Sequence, residues 1–351
     1  MKALILLGGF GTRLRPFTCQ TPKPLLPILN QPFITYQLNL LKKYGIKEVT
    51  FCLSYKAEQF NKFVGTGKNF GLKVNYVYED KPLGTGGAIK NAEKYFDETT
   101  IILNGDILTD INISEIMKFH NNKKAVLTIS LIRVKDPTIY GLVETDKNQR
   151  IEKFLEKPSW DEVTCNTING GIYIFEPELL SYIPPNINYS VERGLFPMLL
   201  EQKKNVYGYI SNPYWIDIGT VEKYKQTHFD ILNCNVNVPV PGKKLRNNVW
   251  VKNKASIDKT STLTGKIVLG KNTKIEQFVQ LSGCVSIGCN CIIRKGSQII
   301  DSIILDNTVI EEGVKIENSL IGNNCKIESN SIINSGNALG DKTHLTKFSN
   351  I

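Results

Sequence analysis

Residues 3–16 read ALILLGGFGTRLRP, and this stretch decides the fold class of the first part of the chain. Its apolar half has the length and composition of a short buried strand, and it runs directly into a glycine-rich turn. Backbone N–H groups in such a turn can point at an anion, and the cations Arg13 and Lys23 lie within reach of one loop. The stretch therefore predicts a site for several phosphate groups at the end of a first strand.

The residues after the turn exclude two common phosphate-binding loops. A dinucleotide-binding unit needs a third glycine where this chain has Leu14, and a P-loop needs Gly-Lys-Ser/Thr ahead of a helix. No helix can start at once, because the next residues include Pro16, Pro22, Pro24 and Pro27. A tight structural turn without a ligand is the alternative that these residues leave open.

Composition and charge narrow the class of protein. The 351 residues are 41% hydrophobic and 22% charged, as in an ordinary globular protein of about two domains. No apolar run approaches the roughly 20 residues that span a bilayer, and the apolar start is too short for a signal peptide. The eight cysteines lack C-x-x-C spacing, which favours reduced thiols and a cytoplasmic location.

The net charge of +10 comes from 43 basic and 33 acidic residues that are dispersed along the chain. The densest basic cluster, KKLR at residues 243–246, is short and falls in an expected linker. We therefore expect neither a nucleic-acid nor a membrane partner. A polyphosphate substrate explains the charge equally well, because a basic enzyme attracts anions.

The first part of the chain alternates strand and helix patterns, which indicates a Rossmann-like α/β fold with a mostly parallel sheet. Strands are predicted at residues 2–7, 48–53, 73–78 and 100–103, and helices at residues 33–44 and 86–95. Ligands of such sheets bind beyond the carboxyl ends of the strands, which is where the glycine-rich turn falls.

The pattern changes to a period of six from residue 249. An aliphatic residue recurs at ten consecutive sixth positions from Val251 to Leu305, and the pattern continues to Ile333 after slips of one residue. A hexad repeat is the signature of a parallel β-helix. We expect a catalytic domain over residues 1–232, a linker over 233–248 and a β-helix over 249–351. The exposed end of such coils favours packing against the catalytic domain or another subunit, and we expect a homo-oligomer formed through this domain.

Two aspartates follow apolar strands and are candidate metal ligands. Asp106 comes after Ile101–Leu103, and Asp217 lies between a short strand and a helix that Thr220 can cap. Mg²⁺ takes one or two protein carboxylates together with substrate phosphate oxygens, so the two could share one site. The alternatives are an aspartate in a tight Asn-Gly turn and an aspartate near a helix N-terminus.

Three further motifs are weaker signals. In the EKP motif at residues 156–158, the carboxylate could accept sugar hydroxyls and the lysine could neutralise a phosphate. The NGG motif at residues 169–171 permits close backbone approach to a ligand, and the LGTGGA turn at residues 83–88 could cradle a base or ribose. A surface ion pair, a β-bulge and a tight turn are the respective alternatives.

In combination, these motifs resemble the sugar-1-phosphate nucleotidyltransferases, and most of all the mannose-1-phosphate guanylyltransferases among them. In chain order they are G-G-x-G-T-R-L-R-P, P-K-P, G-T-G-G-A, N-G-D, Y-G, E-K-P, N-G-G-I-Y and D-I-G. The resemblance spans essentially the whole chain, since some members carry a C-terminal left-handed β-helix. It implies a catalytic domain followed by a β-helix of that hand.

The resemblance implies a role for each motif. It implies nucleotide contacts for Leu7, Gly8, Gly9, Gly11, Thr12, Arg13, Lys23, Pro82, Gly84 and Thr85. It implies sugar-phosphate contacts for Tyr140, Gly141, Glu156, Lys157 and Asn169. It also implies that Asp106 and Asp217 hold Mg²⁺, and that the catalytic residues are Arg13, Lys23, Asp106 and Asp217.

The family's reaction transfers a nucleotidyl group from an NTP to a sugar 1-phosphate and releases pyrophosphate. The nucleophile is a phosphate oxygen, so catalysis requires alignment and charge neutralisation rather than a general base. We favour GTP and mannose 1-phosphate as substrates, with GDP-mannose as product. Glucose-1-phosphate uridylyl-, thymidylyl- and adenylyltransferases and heptose-1-phosphate guanylyltransferases share the core motifs and are the alternatives.

Two functions of other kinds are weighed against this one. Acyl transfer by the β-helix needs a histidine in the coils, and residues 249–340 contain none. A non-catalytic subunit that senses a nucleotide sugar is expected to lose its charged groups. All five are present here: Arg13, Lys23, Asp106, Lys157 and Asp217. Catalysis is therefore the preferred interpretation.

Overall fold

The computed structural model describes residues 1–54, 57–245 and 248–351. Within these residues the chain forms two compact units. The first comprises Met1–Phe10 and Tyr36–Asp217, and the second comprises Gly11–Thr35 and Ile218–Ile351. Arg246 and Asn247, which belong to the expected basic cluster and linker, lie outside the described residues.

Nine strands of the described residues form one sheet in the first unit. They are β1 (Lys2–Leu7), β2 (Glu48–Leu53), β3 (Lys73–Tyr78), β4 (Thr100–Asn104), β6 (Leu127–Arg133), β7 (Gly141–Thr145), β8 (Ile151–Glu156), β9 (Thr167–Phe175) and β10 (Val206–Ile210). Two short strands, β5 (Ile107–Thr109) and β11 (Trp215–Asp217), pair separately.

The predicted strands make up the parallel part of this sheet. The order β3-β2-β1-β4 is parallel throughout, and all four strands have their predicted positions, with β4 one residue longer. The sheet continues through β9, which is antiparallel to both β4 and β6, and through β7 and β8. The α/β prediction is confirmed, and the antiparallel strands extend the sheet on the side of β4.

Helices flank these strands in the chain, and both predicted helices form with small shifts at their ends. The helices are α1 (Ile34–Lys43), α2 (Ala57–Val64), α3 (Gly84–Asn91), α4 (Ile113–Lys123), α5 (Phe196–Glu201) and α6 (Val221–Leu232). The hydroxyl of Thr220 accepts a hydrogen bond from the N–H of Lys223 at 3.3 Å, so it caps α6 as expected.

None of the described helices has the length and hydropathy to span a bilayer. All eight cysteines lie in the described part and are free thiols.

Stacked coils of parallel strands dominate the second unit, and they confirm the predicted β-helix. Residues eighteen apart, such as Thr262, Gln280 and Gln298, pair in neighbouring coils, which corresponds to three hexads per coil. The inward aliphatic side chains form one continuous buried core. The strands of this unit after α6 are Lys243–Lys244, Val249–Val251, Ser256–Ile257, Thr262–Leu269, Lys274–Ile275, Gln280–Ile287, Ile292–Ile293, Gln298–Ile300, Ile303–Ile304, Val309–Ile310, Lys315–Glu317, Leu320–Ile321, Lys326–Ile327, Ile332–Ile333, Ala338–Leu339 and His344–Leu345.

The first of the two slips in the hexad pattern arises where the spacing between paired residues of neighbouring coils falls from eighteen to seventeen. The long strand Gln280–Ile287 faces two short strands in the next coil, and Asp301 bends the chain between them with a φ of 45°. Ile287 therefore pairs with Ile304, so Ile304 rather than Leu305 occupies the tenth predicted position. The coils also continue beyond Ile333, where the hexad pattern ends, through the strand that contains His344.

Residues 11–35 pack against α6 and the coils within the second unit. The side-chain amide of Asn30 donates to the carbonyl of Ile287 at 2.9 Å, and the ammonium of Lys252 donates to the carbonyl of Asn30 at 2.6 Å. Tyr224 of α6 donates its hydroxyl to the main chain of the same segment. The segment that follows the glycine-rich turn is therefore held by the unit that contains the β-helix.

The interior of the coils should be far more sensitive to truncation than their surface. Ile299 is fully buried, whereas its neighbour Ile300 is 37% exposed. Ile299→Ala should lower the free energy of unfolding by about 2–5 kcal/mol, because lost transfer energy and a cavity add. Ile300→Ala should lower it by at most about 1 kcal/mol. Urea unfolding followed by circular dichroism measures both, and equal losses would contradict the assignment of Ile299 to the core.

Candidate active site

Asp106 lies in the tight turn between β4 and β5, at the carboxyl end of a central strand. The N–H of Gly105 donates to the carbonyl of Leu6 at 2.9 Å, which fastens this turn to β1. A Cβ on Gly105 would lie only 2.0 Å from the Leu7 side chain and 2.6 Å from the Leu6 carbonyl oxygen. The turn therefore requires glycine next to the candidate metal ligand.

Gln37 of α1 holds the same turn from its other side, and sequence reasoning missed it. Its side-chain amide donates to the carbonyls of Asn104 at 2.9 Å and Ile107 at 3.0 Å. These two carbonyls bracket Gly105 and Asp106, so Gln37 fixes the backbone that carries the carboxylate. Its position inside an amphipathic helix gave no signal of this contact.

Asp217 is brought beside Asp106 by strand pairing. Strand β11 runs antiparallel to β5, and the register sets Asp217 opposite Ile107, the residue after Asp106. The hydroxyl of Tyr140 donates to Oδ1 of Asp217 at 2.9 Å, and the Tyr140 ring meets Trp215 edge-on at 5.5 Å between centroids. Two partly buried carboxylate-bearing residues distant in sequence thus become neighbours.

The residues expected at the sugar phosphate also come together. Strands β7 and β8 set Gly141 opposite Glu156, and the N–H of Lys157 donates to the carbonyl of Tyr140 at 2.9 Å. A Cβ on Gly141 would lie 2.7 Å from the Phe154 ring and 3.0 Å from the Glu156 carboxylate, so glycine makes room for both side chains. Strand β9 pairs with β7 at the residue before Asn169. One edge of the sheet therefore carries all five residues.

The carboxyl of Glu156 has a raised pKa. Burial is the largest cause, and the negative charge of Glu192 adds to it, while Lys157 and Arg193 act in the opposite direction. A carboxylate that is partly buried without a full ion pair favours neutral hydrogen-bond donors such as sugar hydroxyls. Glu192 was not among the residues that the sequence singled out.

Pro82, Gly84 and Thr85 lie where the chain enters α3, and the first amides of this helix are used inside the protein. The N–H groups of Gly86 and Gly87 donate to the carbonyl of Tyr189 at 2.8 and 3.1 Å. These two amides are therefore satisfied without a ligand. Any base or ribose contact of the turn must come from its other atoms.

Glu79 is a second residue that sequence reasoning missed, and it lies between the glycine-rich turn and α3. One carboxylate oxygen accepts from the N–H of Leu83 at 3.0 Å, and the other is 3.7 Å from where a Cβ on Gly8 would lie. Burial raises the pKa of Glu79. The available signal was its position directly after a predicted parallel strand. Leu7 is buried and Gly9 is exposed beside this region.

Gly11, Thr12, Arg13 and Lys23 belong to the second unit. Gly11 has a left-handed φ of 63°, and its carbonyl accepts from the hydroxyl of Thr18 at 2.7 Å. A Cβ on Gly11 would lie 3.4 Å from Cβ of Lys23, so the lysine starts beside the turn. The exposed Arg13 follows within a single 3-10 turn over Thr12–Leu14. The two cations thus share one loop, as their spacing predicts.

Comparison with known proteins covers both parts of the chain. The sequence model of the family described as "Nucleotidyl transferase" matches residues 2–233, and that described as "EIF2B subunit epsilon LbH domain" matches residues 246–351. The mannose-1-phosphate guanylyltransferase of Mycobacterium tuberculosis is 35% identical over 84% of this chain and 83% of its own length. The UTP–glucose-1-phosphate uridylyltransferase of Synechocystis sp. is 34% identical over 89% of this chain and 85% of its own length.

The chain belongs to the sugar-1-phosphate nucleotidyltransferases. Among solved structures, HddC from Yersinia pseudotuberculosis complexed with GMP-PN is 30% identical, with a TM-score of 0.57 over 66% of this chain and 99% of that one. A putative glucose-1-phosphate thymidylyltransferase from Bacillus anthracis is 25% identical, with a TM-score of 0.59 over 68% of this chain and 97% of that one. The family assignment and the parallel coils together confirm a nucleotidyltransferase fold followed by a left-handed β-helix.

As a member of this family, the protein transfers a nucleotidyl group from an NTP to a sugar 1-phosphate and forms an NDP-sugar. The preferred interpretation of the sequence as an enzyme of this family is confirmed.

Proposed function

We propose that the protein transfers a guanylyl group from GTP to mannose 1-phosphate, forming GDP-mannose and pyrophosphate. The observation that carries the transfer chemistry is the register that makes Asp217 a neighbour of Asp106, at the edge where the sugar-phosphate residues converge. The similarity to a mannose-1-phosphate guanylyltransferase over most of both chains supports the choice of substrates.

The chemistry follows from the groups in the candidate site. A phosphate oxygen of the sugar 1-phosphate attacks the α-phosphorus of the nucleotide in line, and the bond to the bridging oxygen breaks as pyrophosphate leaves with the electron pair. The nucleophile is already an anion, so the protein's task is to align it and to neutralise charge. We assign Arg13 and Lys23 to the departing pyrophosphate and Lys157 to the sugar phosphate.

Asp106 and Asp217 fit a Mg²⁺ ion. This ion takes one or two protein carboxylates and completes its octahedral shell with water and substrate phosphate oxygens. In the part of the chain that the structure describes, no group of three or more His, Cys, Asp or Glu residues could hold a metal ion. Strand pairing and Tyr140 hold two carboxylates in place, and two is within the number of protein ligands that Mg²⁺ needs. When bound, the ion would supply positive charge to the reacting phosphates.

Glu79 supports guanine as the base. Guanine presents two adjacent donors, N1–H and the 2-amino group, which suit the two oxygens of one carboxylate. Uracil and thymine present a donor flanked by carbonyl oxygens, which a carboxylate repels. Glu79 is partly buried beside Gly8 and Leu83, and no lysine or arginine of the described residues pairs with its carboxylate. Its acceptor capacity is thus available next to the nucleotide turn.

We also propose a homo-oligomer formed through the β-helix and a cytoplasmic location. Phe348 of the last coil is 74% exposed, and a second copy of the chain would remove such an apolar side chain from water. The free thiols suit a reducing compartment. We further propose a catalytic domain over residues 1–232 and a β-helix domain over residues 249–351. Residues 11–35 nevertheless belong to the same compact unit as the β-helix.

A substrate panel tests the proposed reaction. Pyrophosphate release is measured with GTP, UTP, dTTP, ATP and CTP, each combined with the 1-phosphates of mannose, glucose and a heptose. GTP with mannose 1-phosphate should give the highest kcat/KM, by about tenfold or more, which corresponds to about 1.4 kcal/mol of selectivity. The highest value with UTP and glucose 1-phosphate would instead support the activity named for the Synechocystis relative. No product from any pair would contradict catalysis altogether.

Replacing the Glu79 carboxylate with an amide tests its role in base selection. Glu79→Gln should lower kcat/KM for GTP about 10- to 100-fold, because a paired hydrogen-bond contact to a base contributes about 1–3 kcal/mol of discrimination. The value for UTP should stay the same or rise. Glu178→Gln, at an exposed carboxylate outside the site, is the matched control and should change neither. Equal losses for GTP and UTP in Glu79→Gln would contradict base selection by this residue.

A further inference from the structure

Residues 187–192 are fastened to the glycine turn that opens α3. The side-chain amide of Asn188 donates to the carbonyl of Pro82 at 3.0 Å, and the N–H of Val191 donates to the hydroxyl oxygen of Thr85 at 3.0 Å. These bonds add to the two helix amides that donate to the Tyr189 carbonyl. The position of the turn therefore depends on this segment.

Glu192 lies at the end of the segment, and its carboxylate is held in an unusual way. One oxygen, Oε2, accepts from the hydroxyls of Thr85 at 2.7 Å and Ser190 at 2.6 Å. Among the described residues, neither a cation nor a hydrogen-bond donor pairs with the other oxygen, Oε1. Leaving one oxygen of a partly buried carboxylate without a hydrogen bond costs free energy, unless a ligand supplies the donor.

The surroundings of Glu192 are those of the sugar side of the site. Burial is the main cause of the raised pKa values of Glu156 and Tyr173. The negative charge of Glu192 is the second cause at both residues. The hydroxyl of Tyr173 accepts from the side-chain amide of Asn169 at 2.9 Å. Glu156 and Asn169 are both assigned to the sugar phosphate, so Glu192 shares their neighbourhood.

We infer that Glu192 is a specificity-determining residue whose Oε1 accepts a hydrogen bond from a ring hydroxyl of the sugar 1-phosphate. Thr85 and Ser190 fix one oxygen and thereby orient the other toward the ligand. Two carboxylates, Glu156 and Glu192, then accept from hydroxyls of the same sugar, which suits a hexose with free hydroxyls. Thr85 also belongs to the nucleotide-side turn, so Glu192 links the two halves of the site. The inference rests on the proposed sugar-1-phosphate substrate.

Glu192→Gln separates this role from a structural one. The amide keeps an oxygen that can accept from Thr85 and Ser190, but it replaces the free acceptor with an NH₂ group that cannot accept. The KM for the sugar 1-phosphate should rise about tenfold or more, since a hydrogen bond to a charged group contributes about 1.5–3 kcal/mol. The KM for the nucleotide and the melting temperature should not change.

The matched control is Glu176→Gln. Glu176 also accepts from a threonine hydroxyl, that of Thr99 at 2.6 Å, but it takes no part in the candidate site. Both KM values should stay at the wild-type level in this variant.

Deoxy analogues of the sugar phosphate give a second readout. Removing the hydroxyl that Glu192 binds should weaken binding to the wild type and not to Glu192→Gln, as expected for partners in one interaction. An unchanged KM for the sugar phosphate in the variant would overturn the inference, and so would equal rises in both KM values. A wild-type protein that released no pyrophosphate with any sugar phosphate would instead refute the proposed function.

Discussion

The antiparallel pairing of β5 with β11 is the constraint on which the candidate site depends. It makes Asp217 a neighbour of Asp106, although the two are far apart in the chain. Without this register the two carboxylates would lie on separate elements, because Asp106 follows β4 and Asp217 ends β11. The tight turn at Gly105, the amide of Gln37 and the hydroxyl of Tyr140 all hold the backbone or the side chains of this pair in place.

A second set of contacts joins the segments of the first unit that we assign to the two substrates. The segment that ends at Glu192 satisfies the opening amides of α3 and accepts the hydroxyl of Thr85. The turn that opens α3 and the segment that ends at Glu192 are therefore held together as one unit. In-line transfer requires both substrates to be aligned within tenths of an ångström, and a shared hydrogen-bonded support is a direct way to obtain that alignment.

The sequence predicts individual strands and coils well, because their positions depend on the pattern of neighbouring residues. Apolar runs identify β1 to β4 almost to the residue, and the hexad repeat identifies the coils. The frame slip at Leu305 could not be located, because Ile303, Ile304 and Leu305 are all aliphatic and any of them fits the repeat, whereas the slip arises from a bend at Asp301. Gln37 and Glu192 were missed because each acts through hydrogen bonds to residues far away in the chain, and neither lies in a motif. Glu79 bonds to Leu83, only four residues on, and was missed because it also lies outside the motifs.

The most direct test of the central claim is whether Asp106 and Asp217 act as one unit. Pyrophosphate release is measured for Asp106→Asn, Asp217→Asn and the double variant, with melting temperatures as a check on folding. Each single variant should lose about 100-fold or more in kcat, as for loss of a main charge-stabilising group. The double variant should lose little beyond the worse of the two, because residues of one unit are non-additive. Losses that multiply in the double variant would show that the two carboxylates act independently, which would contradict the shared site.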